Sequence, residues 1–269
     1  MICVDSFSPV LGEGTSRGNQ HKFYDKGYWI KLDSMNAREG LAEELVSLIE
    51  GYILDFPYVR YKTDLFRYNE ISYRGCISYN MYNRLDTSFI SLRNLLRRHH
   101  IPLNIFIKDE DICKNIISVV NTVDHLTGLN IFPYLSRLLL LDCIVQNEDR
   151  HIMNLGICYC STDNKYYEAP CFDNGSSLFC VPWTYRKSKT LEQNIKSARS
   201  VARPFSKFYD KQLDAILALG GQPLRVNRGV LIAIDRYASP IYTHNEVNLA
   251  KSTFLKLLDY YNERAFVYV

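Results

Sequence analysis

The sequence predicts an α+β chain folded as two lobes, a small β-rich N-terminal lobe with one helix and a mainly helical C-terminal lobe. Three observations predict it. Aromatic and β-branched runs of strand character are concentrated in about the first 84 of the 269 residues. From about residue 85 onward the apolar residues fall mostly at helical spacing. Within that second part, the pattern opening at Pro133 is apolar on nearly every face, as a buried helix must be. The lobes are therefore expected at 1–84 and 85–269, joined near residues 79–88, and the length suits two tightly packed lobes.

The elements follow in order. Residues 11–20 hold three glycines and no core pattern, and read as a loop. Lys22 to Tyr24 and Tyr28 to Leu32 flank Asp25-Lys26-Gly27, a hairpin with aromatic and β-branched arms. Between about Ala37 and Leu54, Leu41, Leu45, Leu48 and Ile49 sit at helical spacing. Tyr58 to Tyr61 and Ile71 to Tyr82 are the remaining strand-like runs. Past the join, Ser91 to His100 and Ile105 to His125 read as helices. The Pro133 helix runs through Leu135, Leu138 to Leu141, Ile144 and Val145, then stops at the polar run Gln146 to His151. Leu155 to Cys160 and Lys165 to Phe172 form a short hairpin about Ser161-Thr162-Asp163-Asn164, closed by Asp173-Asn174-Gly175. From about Thr190 the chain is mostly helical, with breaks at Pro204, Gly220-Gly221 and Pro240.

Composition narrows the function class. A 47% hydrophobic and 23% charged content is ordinary for a globular protein. A net charge of +3 gives no argument for direct nucleic-acid binding. No segment reaches the roughly 18 uninterrupted apolar residues of a membrane span. The start, Met-Ile-Cys-Val-Asp, lacks the pattern of a signal peptide. The eight cysteines are scattered, none in a Cys-x-x-Cys pair, which argues against a disulfide framework or a zinc site. A reduced, cytoplasmic setting is expected, with secretion as an effector by a signal-free route kept open.

The residues that carry chemistry lie on both sides of the join. Phosphoryl transfer needs phosphates held in place, metal ions to neutralise them and a carboxylate to orient the attacking hydroxyl. Asp149 and Asn154 stand five apart in Asp-Arg-His-Ile-Met-Asn, the spacing of a kinase catalytic loop; alone, it is equally the polar end of a helix. The pair follows a buried helix and precedes a hairpin ending in Asp173-Asn174-Gly175, and this order raises its weight. Asp and Asn oxygens suit Mg²⁺, a hard cation. Lys31 stands among apolar residues in Trp29-Ile30-Lys31-Leu32, where it reads either as a phosphate-binding lysine or as a solvent-facing edge residue. Glu43, then Glu44, is its candidate partner on the following helix. Gly12, Gly14 and Gly18 would form a phosphate-facing loop whose N–H groups approach closely.

These motifs resemble the HipA-like serine/threonine kinases. The likeness lies in Gly18-Asn19-Gln20-His21-Lys22, in Trp29 to Leu32, in Asp149 to Asn154 and in Ala169-Pro170-Cys171-Phe172-Asp173, over roughly residues 10–180. It implies a two-lobed, protein-kinase-like fold that uses ATP and Mg²⁺. Asp149 would be the catalytic carboxylate, Asn154 and Asp173 the metal ligands, and Lys31 the ATP lysine. Gln20, the join residues Ser78, Tyr79 and Asn80, and His151 complete the nucleotide-side candidates. Thr15 or Ser16, inside the glycine-rich loop, is the implied site of autophosphorylation; otherwise both hydroxyls cap a turn. A protein substrate and a cognate antitoxin or inhibitor protein are the implied partners. With the glycine-rich loop so near the start, the chain looks closer to short, stand-alone members. The competing readings are a small-molecule or phosphoinositide-type kinase, whose loop is similar, and a catalytically silent kinase-fold binding protein.

Other clusters read as structural. Arg97-Arg98-His99-His100 is read as a solvated helix end, and Cys158-x-Cys160 as strand packing. The stretch Tyr185 to Lys207 carries seven Lys or Arg against the single acid Glu192. It reads as a solvated helix or, at the place of an activation segment, as a guide for an acidic substrate or a phosphorylated residue.

Overall fold

A computed structural model describes residues 1–10, 20–81, 86–101, 111–201 and 204–269. The expected hairpin forms from β3 (Lys22–Asp25) and β4 (Tyr28–Leu32). Its turn, Lys26-Gly27, has φ of 46° and 87°, the mirror-image geometry whose twist matches paired strands. A second hairpin joins β5 (Tyr61–Tyr68) to β6 (Ile71–Tyr79) through Asn69-Glu70, again at positive φ. Here the expected strand at Tyr58 to Tyr61 is displaced. The strand begins at Tyr61 and runs on through Lys62, Asp64 and Arg67, polar residues on both faces that break its apolar alternation. The short strands β1 (Ile2–Cys3) and β2 (Ser8–Pro9) edge the sheet, in the order β1-β5-β6-β4-β3-β2. One face of this sheet closes over Val4, Phe23, Ile30, Leu32 and Phe66.

The other face receives helix α1 (Glu39–Glu50). Gly40 sets how near it comes, and Gly75 lets the strand beneath it lie close to β4. A Cβ on Gly40 would stand 2.7 Å from the Gly75 carbonyl carbon, and one on Gly75 would stand 2.3 Å from the Lys31 carbonyl oxygen. Helix and sheet therefore meet backbone to backbone beside Lys31.

The C-terminal part is organised on α4 (Phe132–Val145), buried from Tyr134 to Val145 except at Arg137. It packs against α6 (Tyr209–Ala218) and α8 (His244–Tyr261), with α3 (Ile112–Thr127) behind α6. The hairpin β8 (Gly156–Cys160) and β9 (Lys165–Glu168) is as expected, and gains a third strand, β7 (Thr87–Ser91), which the sequence reading missed. A parallel pair, β10 (Leu224–Val226) with β11 (Phe266–Tyr268), was also missed, three residues being too short for a period to register. Helices α2 (Leu92–Arg98), α5 (Leu191–Ser197) and α7 (Gly229–Arg236) are the others among the described residues. Among the described residues of the basic stretch only α5 is helical, so a solvated helix describes just part of it. No helix among the described residues is long and apolar enough to cross a membrane.

The segment after α7 ties the two parts together. Tyr237 Oη donates to Glu44 and Tyr242 Oη to Asp33, each at 2.7 Å, and Arg74 pairs with Glu246 at 2.9 Å. These bonds grip α1 and the strand end that follows Lys31.

Candidate active site

The site starts from sheet register. Lys22 pairs with Lys31, Lys31 with Cys76, and Cys76 with Thr63, so four strands contribute one rung of side chains on the α1 face. Lys31 is buried, and its Nζ lies 2.5 Å from Glu43 Oε1 and 2.5 Å from Asp173 Oδ1. Lys22 Nζ stands 3.9 Å from the other oxygen of Asp173. The solvent-facing alternative for Lys31 is thus excluded by its burial. Burial alone would lower the Lys31 pKa, but Asp173 and Glu43 hold it well above the ordinary lysine value. Burial would likewise raise Asp173, yet Lys22 and Lys31 keep it well below the usual carboxylate range. Glu43 is pushed up by burial against the pull of Lys31, with Asp173 adding to the rise.

Asp173 has φ of 59°, a left-handed conformation uncommon for a residue with a side chain. The bonds around it hold it there. Glu43 Oε2 accepts from the backbone N–H of Asn174 at 2.8 Å, so one glutamate engages both the lysine and the Asp-Asn-Gly turn. Asn147 Nδ2 donates to the Asp173 carbonyl at 3.4 Å and to Asn174 Oδ1 at 3.3 Å, while Asn147 Oδ1 accepts from Asp149 N–H at 3.0 Å. One amide therefore joins the Asp149 loop to the Asp173 turn.

Arg150 makes a second joint. It is fully buried, bonded through Nε and Nη2 to Asp142 on α4, through Nη1 to the Phe172 carbonyl at 2.7 Å, and through Nη2 to Asn174 Oδ1. Burial lifts Asp142 to about 6, and Arg150 opposes that rise, leaving it ionised at neutral pH. The backbone of Asp149 is gripped on its other side too, where Asn154 Nδ2 donates to its carbonyl at 3.4 Å. His151 is half-buried beside the turn, with Nδ1 accepting from Met153 N–H and Nε2 buried without a hydrogen-bond partner among the described residues.

The remaining candidates separate by position. Ser78 is buried on the Lys31 side of β6, two residues from Cys76, and Asn80 follows on the same side with its Oδ1 buried and unpaired among the described residues. Tyr79 points to the opposite face, 70% exposed and bonded to Tyr28 Oη at 3.1 Å. Gln20 sits half-buried at the entry to β3. Gly12, Gly14, Gly18, Thr15 and Ser16 lie outside the described residues. Glu44 turns to Thr63 and Tyr237 instead of Lys31, which leaves Glu43 as the lysine's partner. Sequence reading placed neither Lys22 nor Arg150 among the site candidates. Pairing of Lys22 with Lys31 across the predicted hairpin was the available signal for the first; the burial of Arg150 has no sequence signature.

The residues present fit a magnesium nucleotide. Asp173 and Asn154 offer hard oxygen donors, and Lys22 and Lys31 face Asp173. Among the described residues no group of three His, Cys, Asp or Glu forms a closed metal cage. An open one- or two-ligand arrangement is what Mg²⁺ shared with phosphates requires.

A small sheet with one pinned helix, stacked on a helical lobe whose loop and turn face that helix, defines the two-lobed protein-kinase-like fold. No family model matches the chain, and no curated protein matches it in sequence. Among solved structures it is similar to the Helicobacter pylori proinflammatory kinase CtkA, with a TM-score of 0.61 and 14% identity over 96% of this chain and 94% of that one. The structure of hydra Fam20 with sugar aligns over 96% of this chain and 86% of its own, at a TM-score of 0.42 and 10% identity.

Proposed function

We propose that this chain is an ATP-dependent serine/threonine protein kinase of the HipA-like type. The observation that carries the reading is Lys31, held at 2.5 Å from both Glu43 and Asp173, with the Asp149 loop bonded to the Asp173 turn. A lysine paired with a helix glutamate beside a metal-binding Asp is the arrangement that phosphoryl transfer to a hydroxyl needs. The likeness in fold to a protein described as a kinase supports the same reading.

In this reading Asn154 and Asp173 hold Mg²⁺, and Lys31 and Lys22 hold phosphate oxygens. The bound nucleotide supplies a transferable terminal phosphoryl group. Asp149 orients the acceptor hydroxyl and takes its proton as the oxygen attacks. Glu43 keeps Lys31 extended toward the phosphates, and Arg150 and Asn147 keep loop and turn in register. The acceptor is a protein hydroxyl, with Thr15 or Ser16 of the chain itself among the acceptors. A cognate inhibitor protein is the partner class that the HipA-like reading brings with it.

The test is incubation of the full chain with Mg²⁺ and ATP labelled at the γ-phosphate, followed by locating the label by mass spectrometry. Label on serine or threonine, including the loop peptide carrying Thr15 and Ser16, is the expected result. Label that enters only an inositol lipid or a small alcohol would refute a protein acceptor. Tight ATP binding without any transfer would make the chain a silent kinase-fold protein.

A further inference from the structure

Two described parts of the basic stretch after the Asp-Asn-Gly turn are held in place. Asn194, buried on α5, accepts from Arg186 N–H at 2.9 Å. Its amide nitrogen donates to the carbonyls of Arg186, Lys189 and Thr190 at 3.0, 3.3 and 3.0 Å. One side chain thereby fixes the turn on which Arg186 and Lys187 stand exposed. A little further on, three cations gather round a single ring. Arg199, Lys207 and Lys211 lie 4.5, 5.1 and 5.0 Å from the centroid of Phe208. Their mutual repulsion is only partly offset by the ring's quadrupole.

The nearby carboxylates do not answer these charges. Asp210 and Asp214 both pair with Arg264, at 3.3 and 2.9 Å, and Glu192 pairs with Lys196 at 2.8 Å. Among the described residues no carboxylate forms an ion pair with Arg186, Lys187, Arg199, Lys207 or Lys211. The cluster also lies against the catalytic loop. Ser200 N–H donates to the Lys207 carbonyl at 2.9 Å, and Ser200 Oγ and Val201 N–H both bond the carbonyl of Glu148, the residue before Asp149. Unpaired cations on a backbone bonded to the residue before the proposed acceptor-orienting carboxylate form a field that selects its ligand by charge.

We propose that this cationic shelf docks an acidic segment of the protein substrate, whose carboxylates it holds while the acceptor hydroxyl reaches Asp149. The proposal rests on the kinase reading for its last step only; the docking itself is a binding event. Its test is therefore a binding measurement that does not depend on turnover. A fluorescent serine-containing peptide flanked by Asp and Glu is titrated with the full chain, beside matched neutral and Lys-flanked peptides. Wild type is expected to bind the acidic peptide about tenfold or more tightly than the neutral one, with an affinity that falls as salt rises.

Lys211→Glu, on the surface of α6, and the double variant Arg199→Glu/Lys207→Glu should each erase that preference. Circular dichroism and melting temperature should stay unchanged, and the double variant should gain affinity for the Lys-flanked peptide. Equal binding of acidic and neutral peptides by wild type overturns the proposal, as does a preference that survives charge reversal in folded protein. Displacement of the acidic peptide as readily by single-stranded RNA of equal charge also overturns it, in favour of a general polyanion surface. Acidic-peptide binding without phosphate transfer sinks the kinase reading and leaves the docking site. Self-phosphorylation without acidic preference does the reverse.

Discussion

Lys31 is held between the buried Glu43 and the half-buried Asp173, and this makes it structural as well as functional. A phosphate lysine near solvent could be removed with little change in melting temperature. Here Lys31→Ala leaves Glu43 and Asp173 facing each other, and removing one partner of a buried ion pair costs about 3–5 kcal/mol. The loss should depend on pH. Without Lys31, Glu43 loses the cation that opposes its rise, so the cost grows as pH climbs through the unfolded carboxylate value and fades in acid. Denaturant unfolding of Lys31→Ala and wild type should therefore differ most at neutral pH and converge in acid; a constant gap would contradict the bridge. Asp149→Asn and Asp173→Asn test the chemistry. Each should reduce phosphoryl transfer by on the order of 100-fold or more in folded protein, and transfer within twofold of wild type would remove these residues from the mechanism.

At the scale of elements, the site depends on how closely α1 approaches the sheet. Glu43 reaches Lys31 because Gly40 meets the Gly75 backbone without a side chain. A methyl at Gly40 would strike Gly75 backbone and the Tyr242 hydroxyl, each at 2.7 Å, and rigid backbone cannot yield cheaply. Gly40→Ala should push the helix outward, cost about 1–3 kcal/mol as overpacking does, and stretch the Lys31–Glu43 contact. Both melting temperature and ATP affinity should fall in this variant, although it touches no phosphate. A variant with a lowered melting temperature and unchanged ATP affinity would show that α1 does not position the lysine.

Over the whole molecule, burial of carboxylates sets the pH dependence of stability. Burial raises Glu50 to about 8, with its Oε1 accepting from Asn174 and its Oε2 unpaired among the described residues, and raises Glu148 to about 8. A carboxyl raised on folding binds its proton more tightly in the native state. Stability then falls as pH climbs from the unfolded value to the folded one, by at most about 1.4 kcal/mol per pH unit for each group. Asp173 works the other way, its stabilisation being present above its unfolded pKa and lost in acid. Wild type should consequently be more stable near pH 6 than near pH 8, and Glu50→Gln should flatten that slope by about one group's share. Denaturant midpoints measured across pH 5.5–8.5 would decide it, and an identical slope in the variant would show that Glu50 is ionised throughout.

The two-lobe order, the buried α4 and the β3–β4 hairpin were legible in the sequence, because each rests on a local period or a turn that neighbours along the chain define. Asp149, Asn154, Asp173 and Lys31 stood out as candidates in the sequence through fixed spacings and an out-of-place charge. The sequence ranked Glu43 ahead of Glu44 as the partner of Lys31 but could not exclude the second. Successive residues on a helix differ by about a third of a turn, and only packing on the sheet decided that Glu43 faces Lys31 while Glu44 faces Thr63 and Tyr237. Sheet register decided that Lys22 stands beside Lys31 and that Ser78, not Tyr79, shares their face. Tertiary burial alone made Arg150 the clasp between loop and turn. A sequence carries its spacings and periods within each segment, whereas a contact between segments far apart exists only once the chain has folded and excluded water from between them.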